Sequence, residues 1–331
     1  MAETSLNATF FAFRKREQGG VLLAAGVTYG IGLIVLTAAF FGAIWALLGA
    51  DFFTWSQHMA AEGGKGGAQE LPPNFGRIFL IFPLEMLWIF GIFILLAAFE
   101  SACLRWMIRG ERSGPLNLCF GADMWRVYGA YWVWFLYFVG TGILFFIVML
   151  ILGVIAGAAG KGSEVATGLI VFGGVVVWML GWIYTSVRLA PAAATSVGVG
   201  RFAPLTAWTV TRGRFWALFG AFLLLSLIYF LAVLVVGGIA MGAFYASIFS
   251  HVDWSTAQSD PSAAARAYQA ANLAALRDLL ANPTSIALYV IGQIAIQAVG
   301  VVLYVLYFGV NARAVQAALE EGKITQEPVA A

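Results

Sequence analysis

Long apolar runs separated by short polar segments dominate the hydrophobic pattern of this chain. The six runs cover roughly 21–48, 78–104, 127–157, 166–189, 215–246 and 285–310. Each is long enough for the ~20 helical residues that cross about 30 Å of hydrocarbon. Because a bilayer core offers no water to backbone groups, apolar segments of this length cross it as helices. The pattern predicts an all-α polytopic membrane protein with six transmembrane helices.

Composition supports the same class. Hydrophobic residues make up 62% of the 331 positions, and charged residues make up only 10%. Soluble domains average about 45–50% apolar and about 25% charged residues. A soluble fold of this size could not bury so much apolar surface.

The basic residues are distributed unevenly between the two sets of connecting segments. Twelve of the eighteen Lys and Arg lie in the two terminal segments and in those joining runs 2–3 and 4–5, and Arg188, at the end of run 4, is the thirteenth on that side. Segments rich in Lys and Arg remain in the cytoplasm. The charge distribution therefore predicts that both termini are cytoplasmic.

A short motif occurs twice, ninety-one residues apart. Residues 125–131 read WRVYGAY and residues 216–222 read WALFGAF, and each opens an apolar run shortly after a proline. The N-terminal stretch SLNATFFAFRKREQGG resembles a third, weaker copy. We predict three tandem units in a single membrane domain, about 1–110, 111–200 and 201–331, each an amphipathic lead-in followed by a helical hairpin.

The lead-ins have the composition of helices that lie in the headgroup layer. Their apolar stripes face the acyl chains, Arg reaches phosphate, and Trp lies between the two environments. The predicted headgroup-binding residues are Arg126, Arg201, Arg212, Arg214, Trp125, Trp208 and Trp216. The alternative is a dedicated anionic-ligand site built from Arg201, Arg212 and Arg214.

Three polar residues fall inside predicted spans. Glu85 lies in run 2, and Gln293 and Gln297 are four residues apart in run 6. Such residues are costly in a bilayer and mark functional sites or interhelical contacts. We expect all three to face the bundle interior. They would either bind a proton or cation or act as neutral links between helices.

Two further charges lie near the cytoplasmic ends of spans. Glu100 is near the end of run 2, and Arg188 is near the end of run 4. Their equal depth predicts an ion pair between the first two units. Arg105, one turn beyond Glu100 on the same helix, is a competing partner.

Enzyme signatures are missing from the sequence. The two histidines, His58 and His251, have no second histidine at metal-ligand spacing. No nucleophile elbow, Walker A loop or HExxH motif occurs. We therefore predict no catalytic residues, no metal and no cofactor. The basic residues border spans rather than form a soluble module, which argues against nucleic-acid binding.

Two stretches carry a resemblance. Residues 101–132, SACLRWMIRGERSGPLNLCFGADMWRVYGAYW, and 187–222, VRLAPAAATSVGVGRFAPLTAWTVTRGRFWALFGAF, resemble a group of uncharacterised bacterial multi-span membrane proteins. These proteins are similar to the membrane domain attached to some glycerophosphodiester phosphodiesterases. The resemblance implies a six-span helical fold in the bacterial inner membrane. It implies no activity, because the catalytic barrel of those enzymes is absent from this sequence.

Together these features favour a non-enzymatic inner-membrane protein that engages lipids or protein partners through its cytoplasmic lead-ins. The predicted partners are membrane lipids, with an unidentified protein or a second copy of the chain as further candidates. The alternative function is a transporter or permease subunit with a polar path at Glu85, Gln293 and Gln297.

Overall fold

Helix is the only regular secondary structure among the residues that the structure describes. The computed structural model describes residues 5–15, 20–61, 75–159, 164–252 and 282–327, together with eight residues between 265 and 275. No strand occurs among these residues. Six helices are long and apolar enough to cross a membrane: Val21–Ala50, Gly76–Arg109, Ala122–Gly157, Thr167–Val199, Phe215–Gly237 and Pro283–Glu320. The chain is therefore the all-α polytopic membrane protein that its hydrophobic pattern predicts.

The helices are numbered in chain order. They are α1 (Ser5–Thr9), α2 (Phe11–Lys15), α3 (Val21–Ala61), α4 (Phe75–Ile78), α5 (Ile81–Arg109), α6 (Ala122–Ala159), α7 (Glu164–Leu189), α8 (Ala192–Val199), α9 (Ala207–Val210), α10 (Phe215–Ala232), α11 (Gly238–His251) and α12 (Pro283–Glu320). Two 3-10 turns, Pro115–Asn117 and Pro204–Thr206, precede α6 and α9. A π-helical segment, Val233–Gly237, joins α10 to α11.

Glycines terminate two of the helices, α5 and α8. Gly110 follows the last residue of α5 with φ +73°, and Gly200 ends α8 with φ +87°. The amide of Gly200 donates to the carbonyl of Ser196. A residue with a side chain is strained in this left-handed conformation, so glycine allows the chain to turn sharply there.

The second and third lead-ins begin alike. Each starts with a 3-10 turn whose first residue is proline, Pro115 or Pro204. The second exposes Phe120 and the third exposes Leu205, although both side chains are apolar. This local similarity agrees with the repeated motif. The three-unit organisation remains a prediction.

The chain forms two compact units. Unit 1 comprises Met1–Thr28, Leu96–Leu225 and Tyr304–Ala331, and unit 2 comprises Tyr29–Leu95 and Ser226–Leu303. The boundaries of these units fall inside the long helices α3, α5, α10 and α12. They do not coincide with the boundaries of the predicted tandem units.

Unit 1 is held together by close contacts at small residues. Every residue of α8 is buried. A Cβ added at Gly309 in α12 would lie 2.8 Å from the Cβ of Ala12 in α2. Such small residues let helix backbones approach closely, which is how helices associate in a bilayer. The Phe99 and Phe308 rings meet edge to face, with centroids 5.5 Å apart, and join α5 to α12.

Unit 2 contains the remaining parts of four spans. In it α3 packs against α5, where the Phe40 and Trp88 rings stack with centroids 4.7 Å apart. A Cβ added at Gly32 would lie 3.1 Å from the Leu95 side chain. Elsewhere in the unit, Ile248, Val252, Ala271 and Ala275 form a small buried cluster.

Candidate lipid-headgroup site

The three tryptophans predicted at the membrane surface are all exposed. Trp125 exposes 58% of its surface, Trp208 37% and Trp216 77%. Large aromatic rings are usually well buried in a folded protein. Tryptophan is also the residue type that collects at the interface between headgroups and acyl chains.

Two of the four arginines predicted to bind headgroups are paired with carboxylates of the same chain. Arg126 binds Asp123, one turn earlier in α6. Arg201 binds Glu327 with an N–O distance of 2.9 Å. Each guanidinium charge is therefore offset within the protein.

Arg214 is a third arginine with an internal partner. Its guanidinium binds the Glu321 carboxylate and lies 3.4 and 3.5 Å from the Val210 and Ala314 carbonyl oxygens. Only 8% of its side chain is exposed. Arg214 therefore ties the third lead-in to the end of α12. The interpretation of Arg214 as a headgroup ligand is wrong, because the side chain is buried and already bound.

Asp123 is the centre of a second ionic network, which the sequence reasoning missed. Its carboxylate lies 3.1 Å from Arg109 and 3.6 Å from Arg105, and Arg105 also binds Glu111 at 2.7 Å. Arg109 donates to the carbonyl of Val197 as well. The Arg109 and Asp123 side chains are only 3% and 8% exposed. The network joins the end of α5 to the start of α6 and to α8. The sequence signal was an acidic residue in the first turn of α6, three residues before Arg126.

The predicted ion pair between Glu100 and Arg188 does not form. Glu100 is 4% exposed, and its carboxylate accepts a hydrogen bond from the Tyr131 hydroxyl at 2.6 Å. The prediction was wrong because equal depth in a membrane does not fix the direction in which a side chain points. Arg105, the competing partner, binds Glu111 instead.

Arg188 lies against aromatic rings. Its guanidinium carbon is 4.9 Å from the centre of the Trp208 ring and 5.9 Å from that of Tyr184. Its Nε atom is buried and has no hydrogen-bond partner. Across the part of the chain that the structure describes, no carboxylate lies within ion-pair distance of Arg188. Contact with aromatic faces stabilises the cation but adds no negative charge.

The short helix α9 holds Trp208 beside Arg188. Ala207, Val210 and Thr211 are fully buried, whereas Trp208 lies on the other face and is exposed. The Thr211 hydroxyl donates to the Ala207 carbonyl at 2.9 Å and lies 3.5 Å from the Arg188 carbonyl oxygen. Buried small residues on one face and an aromatic residue on the other thus fix the third lead-in against the end of α7.

Arg212 lies in the turn that follows α9. Gly213 adopts φ +80°, and the Arg214 amide donates to the Thr211 carbonyl at 3.1 Å, which closes the turn. The Arg212 side chain is exposed. No described carboxylate forms an ion pair with it. Arg212 is thus the one arginine of the four predicted headgroup ligands that is not paired with a described carboxylate.

An aromatic group continues from Trp208 to the start of α10. The Tyr184 and Phe215 ring centroids are 5.0 Å apart, and those of Phe215 and Trp216 are 5.1 Å apart. We use the term arginine–aromatic surface for the residues Tyr184, Arg188, Trp208, Arg212, Phe215 and Trp216.

This surface combines two features that suit an anionic headgroup. Its two guanidinium groups are not offset by described carboxylates, and guanidinium groups bind phosphate oxygens through paired hydrogen bonds. Its exposed rings suit the boundary between headgroups and acyl chains. Both features lie within unit 1.

The three polar residues predicted inside the bundle differ in exposure. The Glu85 and Gln297 side chains are exposed, and Gln293 is half-buried. We expected all three to face the bundle interior, but the Glu85 and Gln297 side chains are exposed among the described residues.

Within the described ranges, no group of three or more His, Cys, Asp or Glu residues lies close enough to hold a metal ion. His58 and His251 lie on described helices.

Comparison with known proteins gives no match. No protein-family model matches the sequence, and neither a curated protein nor a solved structure is significantly similar to it.

Proposed function

We propose that this multi-pass protein is a non-enzymatic component of the bacterial inner membrane that binds anionic lipid headgroups through the arginine–aromatic surface. In this proposal both termini and the basic segments lie in the cytoplasm, as the distribution of Lys and Arg favours. The family resemblance of residues 101–132 and 187–222 supports the same membrane. The lipid phosphate would occupy the side of Arg188 that is not covered by rings.

The observation that carries the proposal is the state of Arg188. It belongs to a helix apolar enough to cross a membrane, lies against Trp208 and has no described carboxylate partner. A cation at the end of a span is stabilised when it reaches the phosphate layer. Arg212, on the adjoining turn, adds a second positive charge.

Native mass spectrometry of the protein in mild detergent tests this proposal. We expect the wild-type chain to retain phosphatidylglycerol in preference to phosphatidylcholine. Arg188→Gln should lose that preference because the unneutralised charge is gone. Arg201→Gln is the matched control, since Arg201 is exposed and bound to Glu327.

Equal retention of phosphatidylglycerol by Arg188→Gln and wild type would overturn the proposal. A protein, or a second copy of this chain, recovered in place of lipid and lost in Arg188→Gln would also overturn the lipid assignment. It would assign the same surface to a protein partner.

One observation favours transport as a second candidate function. Glu85 lies in a spanning helix, yet its side chain is exposed. A carboxylate in that position needs water or a polar partner. Glu85→Cys should therefore react with a membrane-impermeant maleimide if a water-filled path reaches it. Leu87→Cys is the control, because Leu87 is also exposed in the same helix but is apolar. If neither cysteine is labelled, no water-filled path reaches position 85.

A further inference from the structure

A group of buried and half-buried side chains that carry oxygen atoms lies in unit 1 apart from the arginine–aromatic surface. It comprises Glu100 in α5, Tyr131 in α6, and Tyr307 and Asn311 in α12. Glu100 and Asn311 are 4% and 1% exposed. None of these four residues belongs to the proposed headgroup site.

The carboxylate of Glu100 has no positive partner. It accepts one hydrogen bond from the Tyr131 hydroxyl. The titratable groups around it are Cys103 on its own helix, Tyr131 on α6 and Tyr307 on α12. No ion pair joins Glu100 to any Lys or Arg that the structure describes. Burying an ionised carboxylate without a compensating charge is strongly unfavourable.

A second buried oxygen near Glu100 also lacks a partner. Asn311 lies one turn after Tyr307 on α12, and the ring of Phe308, next to Tyr307, meets the ring of Phe99, the residue before Glu100, with centroids 5.5 Å apart. The Oδ1 atom of Asn311 is buried and accepts no hydrogen bond. Buried acceptors normally have a donor or an ion bound to them.

We propose that Glu100, Asn311 and the hydroxyls of Tyr131 and Tyr307 form a site for a monovalent alkali cation. Carboxylate, amide and hydroxyl oxygens are the ligands that hard cations prefer. One carboxylate balances one positive charge, whereas a divalent ion would leave a buried excess charge. A single proton on Glu100 would satisfy one acceptor, but a cation binds several oxygens together.

The test uses the full chain, purified in detergent at fixed pH and constant ionic strength. Choline chloride is replaced stepwise by NaCl or KCl, and the thermal unfolding midpoint is followed. We expect a saturable rise with one or both alkali ions, because a ligand that binds only the folded state stabilises it. Equilibrium binding of ²²Na⁺ or ⁸⁶Rb⁺ measures occupancy directly.

Substitutions connect the effect to these residues. Glu100→Gln keeps the shape of the side chain and should abolish the alkali-ion dependence, while raising the midpoint in choline. Asn311→Leu should increase the half-saturating concentration at least tenfold. Glu320→Gln is the control, because Glu320 is a largely exposed carboxylate at the end of α12 and lies outside this group. If Glu100→Gln does not fold, Tyr131→Phe provides the same comparison with a milder change.

Three outcomes would overturn the proposal. The first is a wild-type midpoint that does not respond to either alkali ion. The second is an equal response in wild type and Glu100→Gln. The third is a midpoint that changes with pH in choline but not with alkali ions, which would identify Glu100 as a proton site. Each is independent of phosphatidylglycerol retention, so failure here leaves the proposed function intact.

Discussion

The starts of α6 and α10 share a sequence motif but handle charge in opposite ways. Asp123 lies two residues before Trp125, and Arg214 lies two residues before Trp216, at the equivalent position ninety-one residues later. Both side chains are 8% exposed. Asp123 gathers arginines from α5 and α6, whereas Arg214 binds a carboxylate that follows α12.

The position of a buried charged residue is repeated in the two regions, but the sign of its charge is not. We call these two residues, Asp123 and Arg214, the first and the second anchor. In the first region the guanidinium groups around Asp123 are partly neutralised within the protein. In the second region the spare positive charge lies outside the motif, on Arg188 and Arg212. The repeated motif therefore identifies the position at which a lead-in contacts the rest of unit 1. The residues beside the motif determine what the lead-in can bind.

The largest loss of stability is expected at the first anchor, Asp123. Asp123→Asn leaves the buried Arg109 with only the partly exposed Glu111 carboxylate, 3.9 Å away, and breaking a buried pair costs about 3–5 kcal/mol. Chemical denaturation in detergent measures the free energy of unfolding. Arg201→Gln, which breaks an exposed pair, should cost less than about 1 kcal/mol. Equal losses in the two variants would show that the Asp123 network does not fasten the second lead-in.

A smaller loss is expected at the second anchor. Arg214→Leu removes the buried guanidinium that binds Glu321 and should lower the free energy of unfolding. The effect should be smaller than at Asp123, because the Glu321 left behind is half exposed and can be solvated. The same denaturation experiment decides the order. A loss at Arg214 larger than at Asp123 would reverse the proposed ranking of the two anchors.

The contact between Arg188 and Trp208 should contribute less to the free energy of unfolding than either anchor. Trp208→Leu removes an aromatic face that lies 4.9 Å from the guanidinium, and such contacts are worth about 0.5–1 kcal/mol at exposed sites. Trp216→Leu is the control, since no cation lies over that ring among the described residues. A double-substitution cycle with Arg188→Gln isolates the pair. A coupling of zero would remove Trp208 from the site.

The smallest effect concerns the pH dependence of the stability that the pair of Arg214 and Glu321 contributes. The pKa of Glu321 lies below its usual value of 4.5, chiefly because Lys323 hydrogen-bonds to it and also because Arg214 is close. A carboxylate with a lowered pKa stabilises the folded state above its ordinary pKa. That contribution is lost as the pH falls through the lowered value. The stability difference between wild type and Glu321→Gln should therefore be constant at neutral pH and be lost as the pH falls below 4.5. A difference that grows on acidification would contradict this assignment.

The spans were predictable because their signal is local. An apolar run long enough to cross a bilayer can satisfy its backbone groups only as a helix, so runs such as 127–157 give the helix directly. The interfacial placement of Trp125, Trp208 and Trp216 rests on a signal of the same local kind, their position beside a span, and stays a prediction.

The pairing of charges was not predictable in the same way. Glu100 and Arg188 lie at equivalent ends of their helices, but Glu100 turns towards Tyr131 and Arg188 towards Trp208. That choice depends on the rotation of each helix about its axis, which tertiary packing sets. Arg214 shows the same limitation, since its partner Glu321 is 107 residues away. A sequence read along one segment does not show such a partner.

The central claim is that Arg188 carries a charge that the protein leaves for an anionic lipid. Electron paramagnetic resonance of spin-labelled lipids tests it most directly, because the motionally restricted fraction reports lipids held at the protein surface. In reconstituted membranes we expect wild type to restrict labelled phosphatidylglycerol more than labelled phosphatidylcholine, with that selectivity reduced in Arg188→Gln and unchanged in Arg201→Gln. Equal selectivity in all three proteins would contradict the account.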